Sequence, residues 1–317
     1  MKTALICGVS GQDGGYLAKL LLSKGYRVFG TSRDAQISSF ANLDRLGIRG
    51  AVETLSMAPN DFRSVLNGIS KVRPAEIYNL SGQSSVGLSF DQPVETLESV
   101  SLGTLNILEA IRFLGHETRF YNAGSSECFG DTGGVPANET TLFSPRSPYA
   151  VAKSAAYWMV ANYRDAYGLF ACTGILFNHE SPMRPGRFVT KKICDVANRI
   201  AAGAPERLTL GNTQIVRDWG WAPEYVDAMW SMLQAASPED YVIATGHSIS
   251  LEDFVASVFR AVGLDWHDHV DIRQDLFRPS EIMVSRADPA KALAQLGWRA
   301  TRDVDYVVRQ MISGALT

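Results

Sequence analysis

Tyr149 and Lys153 stand four residues apart in the run Ser-Pro-Tyr-Ala-Val-Ala-Lys that ends at Lys153, the spacing that puts two side chains on one helix face. An ammonium beside a phenol favours the phenolate, so Tyr149 is expected to lose its proton more easily than a free tyrosine. It could then take one from a sugar hydroxyl during oxidation of the alcohol. The same spacing also occurs on ordinary surface helices, so this chemistry is expected only beside a nicotinamide. Upstream, Ser125-Ser126-Glu127 offers a hydroxyl able to hydrogen-bond a sugar oxygen and a carboxylate able to serve as a second acid or base.

The elements that would position these groups begin at the first residues. Ala4 to Cys7 is a short apolar run, followed by glycines at 8, 11 and 14 and by a helical pattern through Leu17, Leu20, Leu21 and Leu22. Strand, glycine turn and helix in that order let the backbone approach a pyrophosphate, whose charge is met by the amides and dipole of the helix N-terminus. With Arg27 to Thr31 as the next strand, the pattern predicts dinucleotide binding. That strand runs into Thr31-Ser32-Arg33, small hydroxyls and a cation suited to the 2′-phosphate of NADP. These residues favour NADP; Asp34 follows directly and weakens that preference, because a shift of one residue would bring a carboxylate toward the ribose of NAD.

Strands are expected again at 75–80 and 118–122, each after a helix-like segment, 61–71 and 94–114. This alternation predicts a Rossmann-like, doubly wound parallel sheet. The loops Ser81 to Ser85 and Gly124 to Glu127 would then lie at the strands' carboxyl ends, where ligands bind in such sheets. Ile175 to Phe177 reads as the last strong strand. The stretch from Asn178 to Lys192 is rich in turn residues and cations, and Arg184, Arg187, Lys191, Lys192, Arg217 and Arg278 are candidates for gripping a diphosphate. A solvated charged face would read the same way. A further strand is expected at 241–245, with helices at 251–262 and 289–296. The expected organisation is a cofactor-binding domain over 1–177, with 218–245 returning to it, and a smaller C-terminal α/β substrate-binding domain over 178–217 and 246–317.

With 317 residues, 46% hydrophobic and 20% charged, the chain can bury a sizeable core. A net charge of −3 argues against nucleic acid or an anionic membrane as partner. Cys7, Cys128, Cys172 and Cys194 are scattered without metal-site or redox spacing, so no metal is expected and the thiols read as reduced core residues. No signal-peptide pattern or membrane-length apolar run is apparent, and a cytoplasmic location is expected.

Several blocks carry a resemblance that covers nearly the whole chain: Gly-Val-Ser-Gly-Gln-Asp-Gly from Gly8 to Gly14, Ser-Pro-Arg-Ser-Pro-Tyr-Ala-Val-Ala-Lys from Ser144 to Lys153, and Gly-Ile-Leu-Phe-Asn-His-Glu-Ser-Pro from Gly174 to Pro182. Arg217-Asp-Trp-Gly220 and Arg278-Pro-Ser-Glu281 agree as well. The sequence resembles extended short-chain dehydrogenases/reductases and, among them, the GDP-mannose 4,6-dehydratase family. The resemblance implies that Tyr149 and Lys153 form the hydride-transfer pair, with Glu127 as the acid/base at C5 and C6. Ser125 stands where the family usually has threonine and keeps the hydroxyl. It further implies NADP, tightly bound and regenerated in each cycle, held by Gly8, Ser10, Gly11, Gln12, Asp13, Gly14, Arg33, Leu80, Ser81, Gln83, His179 and Arg184. A GDP-sugar would be held by Ser85, Asn178, Val189, Lys192, Leu210, Gly211, Asn212, Arg217, Arg278 and Glu281, in a homodimer or homotetramer. The chain departs from the family at Asp34, which displaces a second arginine and a serine run, and at Ser56, usually an aspartate. Dehydration of a related GDP-sugar such as a manno-heptose, or NADPH-dependent reduction of a GDP-4-keto-6-deoxysugar, are the alternatives these departures leave open.

Overall fold

Apolar runs that can be buried on both faces form the centre of the molecule, as a parallel sheet requires. The computed structural model describes residues 1–278 and 280–316. Its strands are β1 (Thr3–Cys7), β2 (Arg27–Ser32), β3 (Val52–Ser56), β4 (Glu76–Asn79), β5 (Arg119–Ala123) and β6 (Ala171–Leu176), then β7 (Asn178–Glu180), β8 (Leu208–Leu210), β9 (Val216–Trp221), β10 (Tyr241–Ile243), β11 (Ser248–Ser250) and β12 (Val270–Ile272). Seven of them pair in parallel in the order β10-β6-β5-β4-β1-β2-β3. The register sets Cys7 opposite both Thr31 and Asn79, and Asn79 opposite Asn122. The loops that follow β1, β2, β4 and β5 therefore leave the sheet along one edge.

The helices are α1 (Gln12–Ser23), α2 (Ala41–Arg45), α3 (Phe62–Val72), α4 (Val86–Asp91), α5 (Pro93–Leu97), α6 (Gly103–Leu114), α7 (Pro148–Tyr167), α8 (Val189–Ala201), α9 (Ala222–Met232), α10 (Leu251–Ala261), α11 (Ala290–Leu296) and α12 (Val304–Ser313). Alternation along β1 divides the core. Ala4 and Ile6 face Leu17 and Leu21 of α1 and Met229 of α9, whereas Leu5 and Cys7 face Ile69 of α3, Ile107 of α6 and Val160 of α7. A separate core gathers Ile193 of α8, Trp219 of β9, Phe254 of α10 and Val307 of α12. Two small sheets accompany it, β11-β9-β7 and β12-β8. Among the described residues no helix is long and apolar enough to cross a membrane.

The parallel sheet agrees with the sequence expectation in outline, but its edge strand β3 was not expected, and the strand expected at 241–245 ends at Ile243. The single helix expected over 94–114 is divided into α5, a π-helical turn at Glu98–Leu102, and α6. The widened turn lies against the loop after β4, where a Cβ on Gly82 would come 2.9 Å from Val100 Cγ2. The strand expected at 175–177 begins earlier, at Ala171.

Candidate active site

The carboxyl ends of β5 and β6 and the first turns of α7 bring the reactive residues together. Ser147 caps α7 by accepting the Ala150 amide proton at 3.1 Å, and Pro148 opens the helix, which fixes the turn carrying Tyr149. Lys153, one turn on and equally buried, donates from Nζ to the Ala123 carbonyl at 2.7 Å, and Nζ lies 5.8 Å from the Tyr149 ring centre. After β5, Ser125 accepts the Glu127 amide proton at 3.3 Å and starts the short helical turn Ser126–Phe129 that leaves Glu127 half-buried.

The electrostatics correct one expectation. Burial pushes the Tyr149 phenol well above its ordinary 10.0, against the pull of the Ser125 hydroxyl and the Arg184 charge. Lys153 is not among the principal groups easing its ionisation. Lys153 shifts as well: burial brings its ammonium down from 10.5 to about 8. Glu127 adds its negative charge to the field at Tyr149 and also stabilises the guanidinium of Arg217, which burial disfavours.

A cavity of about 550 Å³ opens along the sheet edge; Ser125, Glu127, Tyr149 and Lys153 do not line it, but Arg184, whose charge reaches Tyr149, does. Eleven of the residues named for the cofactor line it: Gly8, Ser10, Gly11, Gln12, Asp13, Gly14, Arg33, Leu80, Ser81, Gln83 and Arg184. Gly8 has φ +86°, and a Cβ on Gly14 would come 2.4 Å from the Gly8 carbonyl oxygen, so the turn tolerates no side chain there. Gly11 is the open position, with only the Gly8 oxygen, at 3.4 Å, near its would-be Cβ. It caps α1 without any side-chain hydrogen bond. A helix start left uncapped toward a cavity suits a pyrophosphate, and the residues present fit a dinucleotide.

His179 does not line the cavity; it lies behind it. Its Nε2 is 2.9 Å from Asp13 Oδ2, its Nδ1 is 2.7 Å from the Phe177 carbonyl oxygen, and its ring stacks on Tyr225. Burial would raise the Asp13 carboxyl, but the charges of His179 and Arg184 outweigh it and hold the group well below the ordinary carboxylate range. Gln83 is partly consumed in its own loop, donating to the Ser85 carbonyl and to Thr96 Oγ1. Asp34 is turned to its own backbone, accepting the Gln36 amide proton at 2.9 Å, and stands outside the cavity lining that Thr31, Ser32 and Arg33 share. Ser56 accepts the Ala35 amide proton at 2.9 Å.

The residues named for the substrate do not line the cavity, and of them Arg217, Arg278 and Glu281 stand together. Arg217, on β9, is buried, and its Nη2 has no hydrogen-bond partner among the described residues. Glu281 stands 3.9 Å from both Arg217 and Arg278. An unpartnered buried guanidinium nitrogen fits a phosphate oxygen. Asn178 opens β7, Val189 opens α8, and Leu210 ends β8, with Gly211 held so close to Leu276 that a Cβ would come 2.9 Å from its oxygen. Lys192 donates to the Thr209 carbonyl, Asn212 accepts the Gln214 amide proton, and Ser85 caps α4. Two other candidates for the diphosphate are used differently: Lys191 pairs with Asp195, and Arg187 lines the cofactor cavity with Arg184. Sequence reasoning missed Glu180, which holds the Arg184 guanidinium at 2.8 Å, and Glu95 and Glu98, which line the cavity from the far side. Glu180 adjoins His179 in a motif already singled out; Glu95 and Glu98 carry no local signal.

Comparison with known proteins follows the same outline. The family model described as GDP-mannose 4,6 dehydratase matches residues 5–311. GDP-mannose 4,6 dehydratase 2 of Arabidopsis thaliana is 45% identical over 98% of this chain and 86% of its own length. GDP-mannose 4,6-dehydratase of Yersinia enterocolitica is 40% identical over 100% and 94%. Among solved structures, the Thermus thermophilus UDP-glucose 4-epimerase complex with NAD superposes with a TM-score of 0.86 at 25% identity, covering 98% of both chains. Bacillus anthracis dTDP-glucose 4,6-dehydratase, at 15% identity, shares the fold, with a TM-score of 0.86 over 99% of this chain and 96% of its own. The chain belongs to the GDP-mannose 4,6-dehydratase family.

Proposed function

We propose that this protein converts GDP-D-mannose to GDP-4-keto-6-deoxy-D-mannose as a nicotinamide-dependent GDP-mannose 4,6-dehydratase. The observation that carries the reading is Glu127, a carboxylate whose charge reaches both the Tyr149 phenol and the Arg217 guanidinium. Simple oxidation or reduction needs only Tyr149 and Lys153. Elimination of water needs a further acid/base between that pair and the cation that would hold the diphosphate. The names borne by the relatives support the same substrate.

In this reading Tyr149 takes the proton of the C4 hydroxyl as the phenolate, Ser125 hydrogen-bonds the C4 oxygen, and Lys153 orients the tyrosine from its anchor on Ala123. Burial disfavours that phenolate in the ligand-free protein, and the positive charge of an oxidised nicotinamide bound in the cavity would favour it. A nicotinamide bound in the cavity would accept a hydride from C4 and return it to C6. The C4 ketone acidifies the C5–H, which Glu127 removes. Glu127, now protonated, hands that proton to the departing C6 hydroxyl, which leaves as water. When the hydride reaches C6, C5 takes back one solvent-exchangeable proton, the one Tyr149 took from the C4 hydroxyl. That restores the starting protonation state, and C5 is the position that would carry the deuterium. Arg217, Arg278 and Lys192 would hold the GDP portion, with Asn178, Val189, Leu210, Gly211, Asn212, Glu281 and Ser85 around it.

The cofactor is proposed to be NADP, supported by Arg33, Ser32 and Thr31 in the cavity wall and by Asp34 turned away from it. A cofactor half over 1–177 with 218–245 returning is supported by α9 on α1 and by β10 beside β6, although the first residues of that return pair in the smaller β11-β9-β7 sheet. A homodimer or homotetramer is supported by Val94 and Leu97 of α5, Leu102, and Val151 and Trp158 of α7, all exposed on neighbouring elements. Four unpaired cysteines, all buried, support a reducing compartment such as the cytoplasm.

The test is incubation with GDP-mannose and trace NADP in deuterated water, followed by mass spectrometry of the nucleotide sugar. Loss of one water with uptake of one carbon-bound deuterium is expected. Unchanged GDP-mannose would overturn the substrate, and net consumption of NADPH with a 4-keto-6-deoxysugar would replace the dehydratase by a reductase.

A further inference from the structure

Arg33 is the cation that faces the adenosine end of the cofactor cavity, and it has a partner there. Its Nη1 lies 3.6 Å from Oε1 of Glu95, and Glu95 lines the same cavity wall. The backbone that carries Glu95 is anchored: Thr96 donates its hydroxyl proton to the Gln92 carbonyl at 2.7 Å and accepts from Gln83 Nε2 at 3.2 Å. The carboxylate, half-exposed, is free to swing toward water while its Cα stays beside the cavity.

We propose that Glu95 is a specificity-determining residue, the counter-ion that Arg33 exchanges for the 2′-phosphate when the cofactor enters. The inference rests on the NADP reading above. NAD brings only a 2′-hydroxyl to this place and leaves the Arg33–Glu95 pair intact. NADP brings a phosphate of nearly two negative charges, which must take Arg33 from Glu95 and then sit near the displaced carboxylate. Glu95 therefore counts against NADP and is neutral toward NAD, so the preference conferred by Arg33 is smaller than Arg33 alone would give. An exposed ion pair contributes only a few-fold. Adding carboxylate–phosphate repulsion brings the total to roughly three- to tenfold at low ionic strength, shrinking as salt screens it.

The experiment is calorimetric titration of the protein, freed of co-purified nucleotide, with NADP and with NAD. It compares wild type, Glu95→Gln, Arg33→Met and the double variant; both positions are exposed and their substitution leaves the core intact. Glu95→Gln is expected to tighten NADP roughly three- to tenfold, to leave NAD within about twofold, and to lose most of that gain in the Arg33→Met background. If Arg33→Met abolishes the NADP preference while Glu95→Gln leaves the ratio unmoved, NADP stands and the role of Glu95 falls. An equal gain with and without Arg33 would overturn the exchange in favour of simple repulsion. If wild type binds both nucleotides alike and Arg33→Met changes neither, the NADP reading falls and this inference with it.

Discussion

Replacing Lys153 by methionine should stabilise the ligand-free protein near neutral pH while abolishing its chemistry. Burial lowers the Lys153 ammonium from 10.5 to about 8. At about 1.4 kcal/mol per pH unit, that gap corresponds to a cost on the order of 3 kcal/mol whenever the folded protein carries the proton. Between about 8 and 10.5 the unfolded chain binds a proton that the folded chain has released, so wild-type stability gained from this residue rises with pH across that window. Below it the full cost is present, and above it the cost is gone. Methionine keeps the length and removes the charge, but it also removes the hydrogen bond to the Ala123 carbonyl, worth about 1 kcal/mol. The variant should therefore be more stable than wild type by about 2 kcal/mol near pH 7 and less stable by about 1 kcal/mol above pH 10.5. Guanidinium chloride unfolding of both proteins across that range reads the difference directly, because all other titrating groups are shared. A difference that does not change with pH, or a less stable variant at pH 7, would refute the desolvated ammonium.

Tyr149→Phe should halt the reaction before any transient absorbance of reduced nicotinamide appears in stopped flow; a normal transient would remove Tyr149 from the oxidation step. Glu127→Gln should keep nucleotide binding and the first oxidation while slowing loss of water roughly 100- to 10,000-fold, and unchanged turnover would reassign the acid/base. Gly14→Ala, whose Cβ would meet the Gly8 oxygen at 2.4 Å, should cost about 3 kcal/mol or more and weaken binding of the nicotinamide dinucleotide; a variant that melts with wild type would mean the turn can relax.

The sheet was legible where strands are buried on both faces and read as unbroken apolar runs, as in Ala4 to Cys7 and Ile77 to Tyr78. β3 escaped because Val-Glu-Thr-Leu-Ser at a sheet edge alternates and carries a charge, and β7, β8, β11 and β12 are three residues long and, unlike the equally short β10, are not continuous apolar runs. The division of 94–114 carries no local signal; its π-helical turn lies against Gly82 of the loop after β4, a contact made only in the fold. In the site, the glycine turn and the Tyr149–Lys153 face were legible as spacings. The sense of the Tyr149 shift was not, because burial outweighs a neighbouring ammonium that is itself buried. Arg33 was visible at the end of β2, but Glu95 is distant in sequence and meets it only through the fold.

The return of the chain to β10 after its excursion through β7, β8 and β9 bears on synthesis. β6 is buried at every position, yet its outer edge has no partner until Tyr241–Ile243 has been made, 65 residues after Leu176 (241 − 176). At about 5–20 residues per second that is roughly 3 to 13 seconds during which a nascent chain displays an apolar strand edge beside an otherwise finished sheet. A holding chaperone would find its target there, and proteolysis of ribosome-bound chains stalled before and after Ile243 would time the closure.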